Sequence, residues 1–362
     1  MRPDVVELTA QLLRIDTVEG GEDEALDVVA PLLEGAGFSL TRVPWRPGRS
    51  NLLATWNGGG GFVLAGHVDT VPHGSAEWAH PPLSAELDGD RLLGRGSSDM
   101  KGGVAAIVLA ALAAVGPGAR GFSVVLTSGE ETGCAGATAV RDAGVLDPAS
   151  ILILGESTAN GVRLGHKGVT WFEVTARGRA AHGSRPELGV NAIEALAEVV
   201  TSLTSLESGA VHPELGSRTT NVGTIAGGTQ TNLVPDLAQM TVDVRTVPGS
   251  SHGPVEALLA RAGEVTALLE LPAVWSSPDA ARTEGVTEAV ARVTGRRDAP
   301  AGVSYFTDAA VLDASRSRSY IIGPGDLDQP HTTDESVSVT SLYEAVEIYG
   351  ALIDAWSRGR LD

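Results

Sequence analysis

The chain has 362 residues, 43% hydrophobic and 20% charged, a length beyond what one hydrophobic core ordinarily supports, so two globular domains are expected. Its 26 basic residues against 45 acidic give a net charge of −19, which argues against nucleic acid and anionic membranes as partners. A single cysteine, Cys134, excludes an internal disulfide and a thiolate-rich zinc site and fits a reducing cytoplasm.

From the N-terminus, "VVELTAQLLRI" and "EDEALDVVAPLLEGAG" carry helical spacing, the second with glycine at its stop. "SNLLATW" and "FVLAGHVD" are short β-rich runs bounded by glycines. "MKGGVAAIVLAALAAVG" predicts a strongly apolar helix, "FSVVLTSGEE" a buried strand ending in acids, and "SILILGES" a similar strand. Apolar strands alternating with helices predict a parallel or mixed α/β sheet covered on both faces. Chemistry in such sheets gathers at the carboxyl ends of strands, where Asp69, Glu130 and Glu156 fall. No basic segment followed by an apolar one marks a secretory signal, and the apolar stretch Val104 to Val115 is short for a bilayer span. No membrane association and a cytoplasmic location are therefore expected.

From Gly168 the pattern changes. "VTWFEVTARGRAAH" alternates in steps of two, as a half-exposed antiparallel strand does. A helix ("NAIEALAEVVTSL"), two alternating strands ("TTNVGTIAGG", "LAQMTVDVRTV"), a helix ("PVEALLARA") and a strand ("ALLELPAVW") complete a β-α-β-β-α-β order. This α+β domain is expected over 168–277. It is inserted into a larger domain made of 1–167 and 278–362, which resumes with "GVTEAVARVTG", "SYIIGPG" and the amphipathic "SLYEAVEIYGALIDAW".

His67, Asp69, Asp99, the pair Glu130–Glu131, Glu156 and His331 lie in separate loops of the larger domain. Each alone has a plain reading: a solvated loop histidine, an aspartate capping the helix near Met100, a solvated acidic turn. Together, at strand ends and at the start of a buried helix, the acids would crowd one another unless a cation neutralised them. Ligands of this mix suit Zn²⁺, Mn²⁺ or Co²⁺, and a carboxylate can bridge two such ions. Residues two apart on a strand point the same way, so Asp69 is placed either as a ligand or behind the His67 ring, accepting its N–H.

The stretches "GHVDTVP", "WAHPPLSAELDGDRLLGRGSSDMKGG", "GEETGCAGA", "HKGVTWFEVTARGRAAHGSRP", "GTQTNLVPD" and "HTTDE" resemble the M20 metallopeptidase family, the group of acetylornithine deacetylase, succinyl-diaminopimelate desuccinylase and carboxypeptidase G2. The resemblance runs in order along the whole chain, insert included. It implies a catalytic domain holding two divalent ions, zinc first and cobalt or manganese next, and an inserted lid and dimerisation domain. His67 corresponds to a ligand of one ion with Asp69 orienting it, Asp99 to the bridging carboxylate, often followed by a cis peptide. Glu130 corresponds to the general base, Glu131 to a ligand, Glu156 to the acidic ligand of the first ion and His331 to the histidine of the second. His73 and His80 have no place in that pattern. Gly129 departs from it, since many relatives carry an acid there.

In the insert, His182 corresponds to the histidine that stabilises the oxyanion across a dimer; a strand-end surface histidine is the plain alternative. Asn232 and Arg245 correspond to contacts with a substrate carboxylate, with Asp243 as the alternative partner of Arg245. The turn Gly323 to Gly325 is placed near substrate with its backbone N–H groups, and Lys167 reads as a solvated turn residue. The implied activity is a metal-dependent amidohydrolase that removes an acyl group from an N-acyl amino acid or short peptide. It is most like acetylornithine deacetylase, of arginine biosynthesis, with the desuccinylase, a dipeptidase or an aminoacylase as alternatives. A binding homologue without catalysis is the alternative from another class. No Walker-type phosphate loop is present, which disfavours ATP-driven ligation. A homodimer is the expected assembly.

Overall fold

The structure is a computed structural model that describes residues 3–362. Asp4 accepts the Val6 N–H and so starts α1 (Val5–Leu13), whose Leu8, Leu12 and Leu13 are buried. There follow α2 (Glu22–Gly35), β1 (Ser39–Arg46), β2 (Arg49–Trp56), β3 (Phe62–His67), α3 (Gly102–Ala114), β4 (Phe122–Thr127), α4 (Ala135–Ala143) and β5 (Ile151–Leu154). The insert contributes β6 (Gly168–Arg177), α5 (Ala192–Leu203), β7 (Thr219–Gly227), β8 (Leu237–Thr246), α6 (Gly253–Leu259) and β9 (Glu264–Leu271). The chain then returns through α7 (Ala281–Thr294), α8 (Ala309–Leu312), β10 (Ser319–Ile321) and α9 (Val339–Ser357).

The larger unit is built on a six-stranded mixed sheet in the order β1-β2-β4-β3-β5-β10. β4, β3, β5 and β10 run parallel, and β2 and β1 continue antiparallel at one edge. β3, β4 and β5 are buried at every position, as apolar runs covered on both faces require. β1 was not foreseen: "SLTRVPWR" buries only Val43, so no apolar run marks it. In register, His67 lies opposite Thr127 and Ala65 opposite Leu154, so the segments after β3, β4 and β5 leave the sheet at one end. That end carries the acids.

The stretch Ser97–Ala114 is apolar and long enough, by length and composition, to match a membrane span, yet 78% of it is buried in the fold. It is longer than the apolar stretch expected from the sequence, because the turn before α3 is buried as well. α9 and α1 pack against α3. At its first turn, Gly103 lies against the backbone just after β5, where an added Cβ would stand 2.1 Å from the Gly155 carbonyl oxygen.

The second unit comprises His166–Val274 together with Val303–Phe306. Its sheet order is β7-β8-β6-β9 with antiparallel pairing throughout, the β-α-β-β-α-β arrangement. Ala238, Met240, Val242 and Val244 alternate along β8 and are buried against Leu196 and Val199 of α5 and Val255 and Leu259 of α6. Val303–Phe306 was not expected here: Val303 bridges to His166, and Phe306 meets Trp171 edge-on at 6.4 Å. The first unit reaches Gly165 and resumes over Trp275–Gly302 and Thr307–Asp362.

Gly103→Ala tests how tightly α3 is fitted. A free position would gain up to about 1 kcal/mol from helix propensity. Backbone overlap at 2.1 Å instead predicts a loss of about 1–3 kcal/mol. In thermal melting this corresponds to a fall in Tm of roughly 2–12 °C.

Candidate metal centre

Each candidate ligand leaves the same end of the sheet. His67 closes β3, Glu130 and Glu131 follow β4, Glu156 follows β5, and Asp99 sits in the turn Ser97–Lys101 before α3. His67 Nε2 is 3.2 Å from Asp99 Oδ1 and 3.4 Å from Glu156 Oε1. The other Asp99 oxygen, Oδ2, is 3.4 Å from His331 Nε2, which is also 3.1 Å from Glu131 Oε2. Two ligand trios therefore share one residue: His67–Asp99–Glu156, mostly buried, and Asp99–Glu131–His331, where the histidine is exposed. The two Asp99 oxygens face different histidines, the geometry of a bridge. The Asp99–Met100 peptide is cis. The helix-cap alternative for Asp99 does not hold, since the N-cap position of α3 is Lys101 and no side chain caps that helix.

The charges in this cluster perturb one another. Burial pushes Glu156 up to about 8, with Asp99 and Glu131 adding repulsion against the pull of His67. Burial likewise raises Glu130 well above the carboxylate range, and Glu156, Glu131 and Asp308 add to it while His67 opposes. Glu131 is raised by burial and then by Asp99. Hydrogen bonds to Asp99 and Glu131 lift His331 to about 10. Burial pulls the His67 ring down, but Glu156, Asp99 and Asp69 outweigh it and hold the ring well above its ordinary value. Asp99 is the exception: both histidines overcome its burial and keep it below the usual carboxylate range. Glu131 Oε1 is buried without a hydrogen-bond partner. Surplus acid, an orphaned carboxylate oxygen and imidazoles on both sides are what a site for divalent cations presents.

Asp69 acts differently from either reading of its spacing. The His67 Nδ1–H reaches the Asp69 backbone carbonyl at 3.0 Å, while its carboxylate stands 3.6 Å from that nitrogen. The ring is thereby fixed with Nε2 facing the acids, although through the main chain. The Asp69 carboxylate accepts the backbone N–H groups of Glu130 and Glu131, both at 3.2 Å, and so sets the acidic turn. Gly129 explains its own departure from the pattern. It has φ +76°, and an added Cβ would meet the Trp45 ring at 2.6 Å, so no acid fits there.

The remaining expectations divide. The Gly323 N–H donates to Thr158 Oγ1 at 3.0 Å, so it is engaged within the fold and not offered to a substrate. Arg245 forms the alternative pair, with Nε and Nη2 donating to the Asp243 carboxylate at 2.8 and 2.9 Å. The two are neighbours on one face of β8. Asn232 is exposed, and its carbonyl accepts the Gly183 N–H at 2.7 Å. His182 is exposed, and its Nδ1 accepts the Ser184 N–H at 3.1 Å. Lys167 is buried rather than solvated, donating to the Ser217 carbonyl at 2.8 Å. His80 pairs with Glu86, and His73 stacks edge-on with Trp78, in the loop after β3.

Two buried acids close to the cluster escaped the sequence reading. Asp308, 2% exposed, accepts Thr127 Oγ1 at 2.5 Å at the end of β4. Glu335, fully buried, binds Arg95 and the backbone around Asp99. Glu335 lies inside the "HTTDE" stretch, but nothing local in the sequence says that it turns inward.

The profile of "Peptidase family M20/M25/M40" matches residues 63–355. An acetylornithine deacetylase of Vibrio atlanticus is 29% identical over 374 residues, covering 96% of this chain and 97% of that protein. A succinyl-diaminopimelate desuccinylase of Cereibacter sphaeroides is 33% identical over 374 residues, with the same shares covered. Among solved structures, an M20 family metallo-carboxypeptidase of Sulfolobus solfataricus has a TM-score of 0.80 at 18% identity, covering 99% of this chain and 100% of that one.

The electrostatics predict a proton signature for metal uptake. Without metal at pH 7, Glu156 at about 8 and His331 at about 10 both hold protons, which a cation must displace. Calorimetric titration with Zn²⁺ in two buffers of different ionisation heat should show release of about one proton or more per ion bound. Uptake with no proton release would contradict the crowded-acid account of the site.

Proposed function

The chain belongs to peptidase family M20/M25/M40, and from that premise we propose that this hydrolase uses two divalent cations to remove the acyl group of an N-acyl amino acid, N-acetylornithine first. The observation that carries the reading is Asp99, whose two oxygens face His67 and His331 separately. When bound, a pair of cations polarises the scissile carbonyl and makes water a stronger nucleophile. Zinc is the first choice for a set of two imidazoles and three carboxylates, with cobalt or manganese next.

Glu130 is assigned to proton transfer. It is 5% exposed and belongs to neither ligand trio, and burial raises its carboxyl well above the carboxylate range, which strengthens it as a proton acceptor. In this reading one carboxylate oxygen of Glu130 accepts a proton from the attacking water. It then delivers that proton to the amide nitrogen as the C–N bond breaks, so the carboxylate is regenerated. The buried Cys134 Sγ lies 3.9 Å from Glu130 Oε1.

His182 is equipped to donate. A backbone N–H can only donate, so the Ser184 contact makes Nδ1 an acceptor and leaves the proton of the neutral ring on Nε2. Such a donor suits the oxyanion of the tetrahedral intermediate, and we assign it to the site of a second subunit in a homodimer. Arg245 and Asn232 are assigned to the carboxylate of the substrate, with Arg245 sharing its guanidinium between that group and Asp243. A succinyl-diaminopimelate substrate is the second reading, favoured by the 33% identity to a desuccinylase.

Three measurements test these assignments. Glu130→Ala should retain two ions by elemental analysis yet lose about 10²–10⁴-fold in kcat. Undiminished turnover would remove Glu130 from the mechanism. His182→Ala should lose about 10²–10³-fold in kcat with metal content unchanged, and a fully active monomer in gel filtration would refute its action across a dimer. N-acetylornithine, N-succinyl-diaminopimelate and simple dipeptides, each assayed with Zn²⁺, Co²⁺ or Mn²⁺, should show N-acetylornithine as the best substrate. A higher kcat/KM for the succinyl compound would establish the second reading.

A further inference from the structure

The outer trio draws all three of its ligands from turns and loops. Asp99 has φ −119° and ψ 93°, outside helical geometry. His331 has φ +64° and Asp334 φ +59°, a left-handed conformation that residues with a Cβ seldom adopt and that needs support from its surroundings. The Asp99 turn is held by one fully buried side chain, Glu335, which belongs to the segment that carries His331 and Asp334. Its Oε1 accepts the backbone N–H of Ser98 at 2.9 Å and of Asp99 at 3.0 Å. Its Oε2 accepts the backbone N–H of Gly96 at 3.0 Å and Arg95 Nη1 at 2.8 Å.

All four partners are donors, so both oxygens must accept. A carboxylate meets that requirement, whereas an amide would turn an NH₂ group against two N–H donors. Glu335 also stands four residues after His331, and the adjoining residue is fixed as well. The Ser336 carbonyl accepts Ser98 Oγ at 2.9 Å and Arg91 Nη2 at 2.9 Å. At the other end of the His331 loop, Asp326 pairs with Arg91 at 2.6 Å. One carboxylate thus ties the loop of the bridging aspartate to the loop of the exposed histidine.

We propose that Glu335 is a positioning residue of the metal centre that governs the outer trio, Asp99–Glu131–His331, more strongly than the inner one. The inference rests on the two-ion reading above. The inner trio takes His67 from the end of β3 and Glu156 from two residues beyond β5, and depends on Glu335 only through Asp99. The outer trio depends on it through both Asp99 and His331. A purely structural Glu335 would affect folding and leave the two affinities in their wild-type ratio.

The test uses the full-length protein, freed of metal with a chelator and titrated with Co²⁺. It is read by visible absorbance and by metal content after dialysis, without any substrate. Wild type should take up two equivalents. Glu335→Gln should keep the first near wild-type affinity and bind the second about 10–100-fold more weakly, the cost typical of losing a group that orients metal ligands. Glu335→Asp, which keeps the charge but is one methylene short, should recover part of that loss. Circular dichroism and melting of the metal-free variants report whether they fold. A second equivalent bound as tightly as in wild type by folded Glu335→Gln overturns the proposal. So does equal weakening of both equivalents, or failure of both variants to fold, because each assigns Glu335 to the scaffold alone. Fewer than two equivalents in wild type would overturn the two-ion reading and this inference with it, whereas two in both proteins at equal affinity overturns this inference alone.

Discussion

Like charges do not gather at the mouth of a buried sheet without compensation, and that constraint organises the larger unit. Glu130, Glu131, Glu156 and Asp99 converge where β3, β4 and β5 end in register, with two imidazoles between them. The backbone is shaped to bring them close. Beside Glu156, the Gly155 carbonyl oxygen would lie 2.1 Å from a Cβ on either Gly103 or Gly323, so only glycine lets α3 and the turn after β10 approach that strand end. Asp69 adds no ligand to either trio, yet its carboxylate gathers the two glutamate N–H groups. Hydrogen bonding from the scaffold thereby aims groups whose charges repel.

Much of this was legible in the residues. Uninterrupted apolar runs marked β3, β4 and β5, and the polar residues immediately after them stood out because nothing in a core requires them. The two-residue alternation of β8 was equally clear, and it placed Arg245 and Asp243 on one face, where they pair. What escaped is non-local. Glu335 meets its partners across 236 to 240 residues of sequence, and Asp308 meets Thr127 across 181. No periodicity encodes such contacts. Val303–Phe306 escaped for the same reason: a short segment joins the inserted unit by pairing with its first residue, His166. The Gly323 N–H failed as a substrate donor because Thr158, itself buried in the turn after β5, reaches it first.

Trp45 shapes the margin of the acidic turn. Its indole donates to Ser128 Oγ at 2.7 Å and carries the Arg46 and Arg49 guanidiniums within 4.7 Å of its ring. Arg49 in turn is paired with the buried Glu22. This aromatic and cationic stack occupies the space beside Gly129 where an acid would otherwise precede the glutamate pair. The acidic turn thus keeps Glu130 and Glu131 without a third acid before them, and a cationic stack lies behind it.

The packing of α3 has a consequence for how the chain is made. Its main helical cover, α9, is encoded about 225 residues downstream, with the whole inserted unit in between. At the ribosome's 5–20 residues per second, that separation amounts to roughly 10–45 s. Through that interval a segment as apolar as a membrane span lacks its last covering layer, and over its final part, once β9 has been made, the insert has every residue of its own sheet available. The nascent chain therefore passes through a state in which the smaller unit can close while the larger still shows its most adhesive surface. That is the stage at which a holding chaperone would have most to grip.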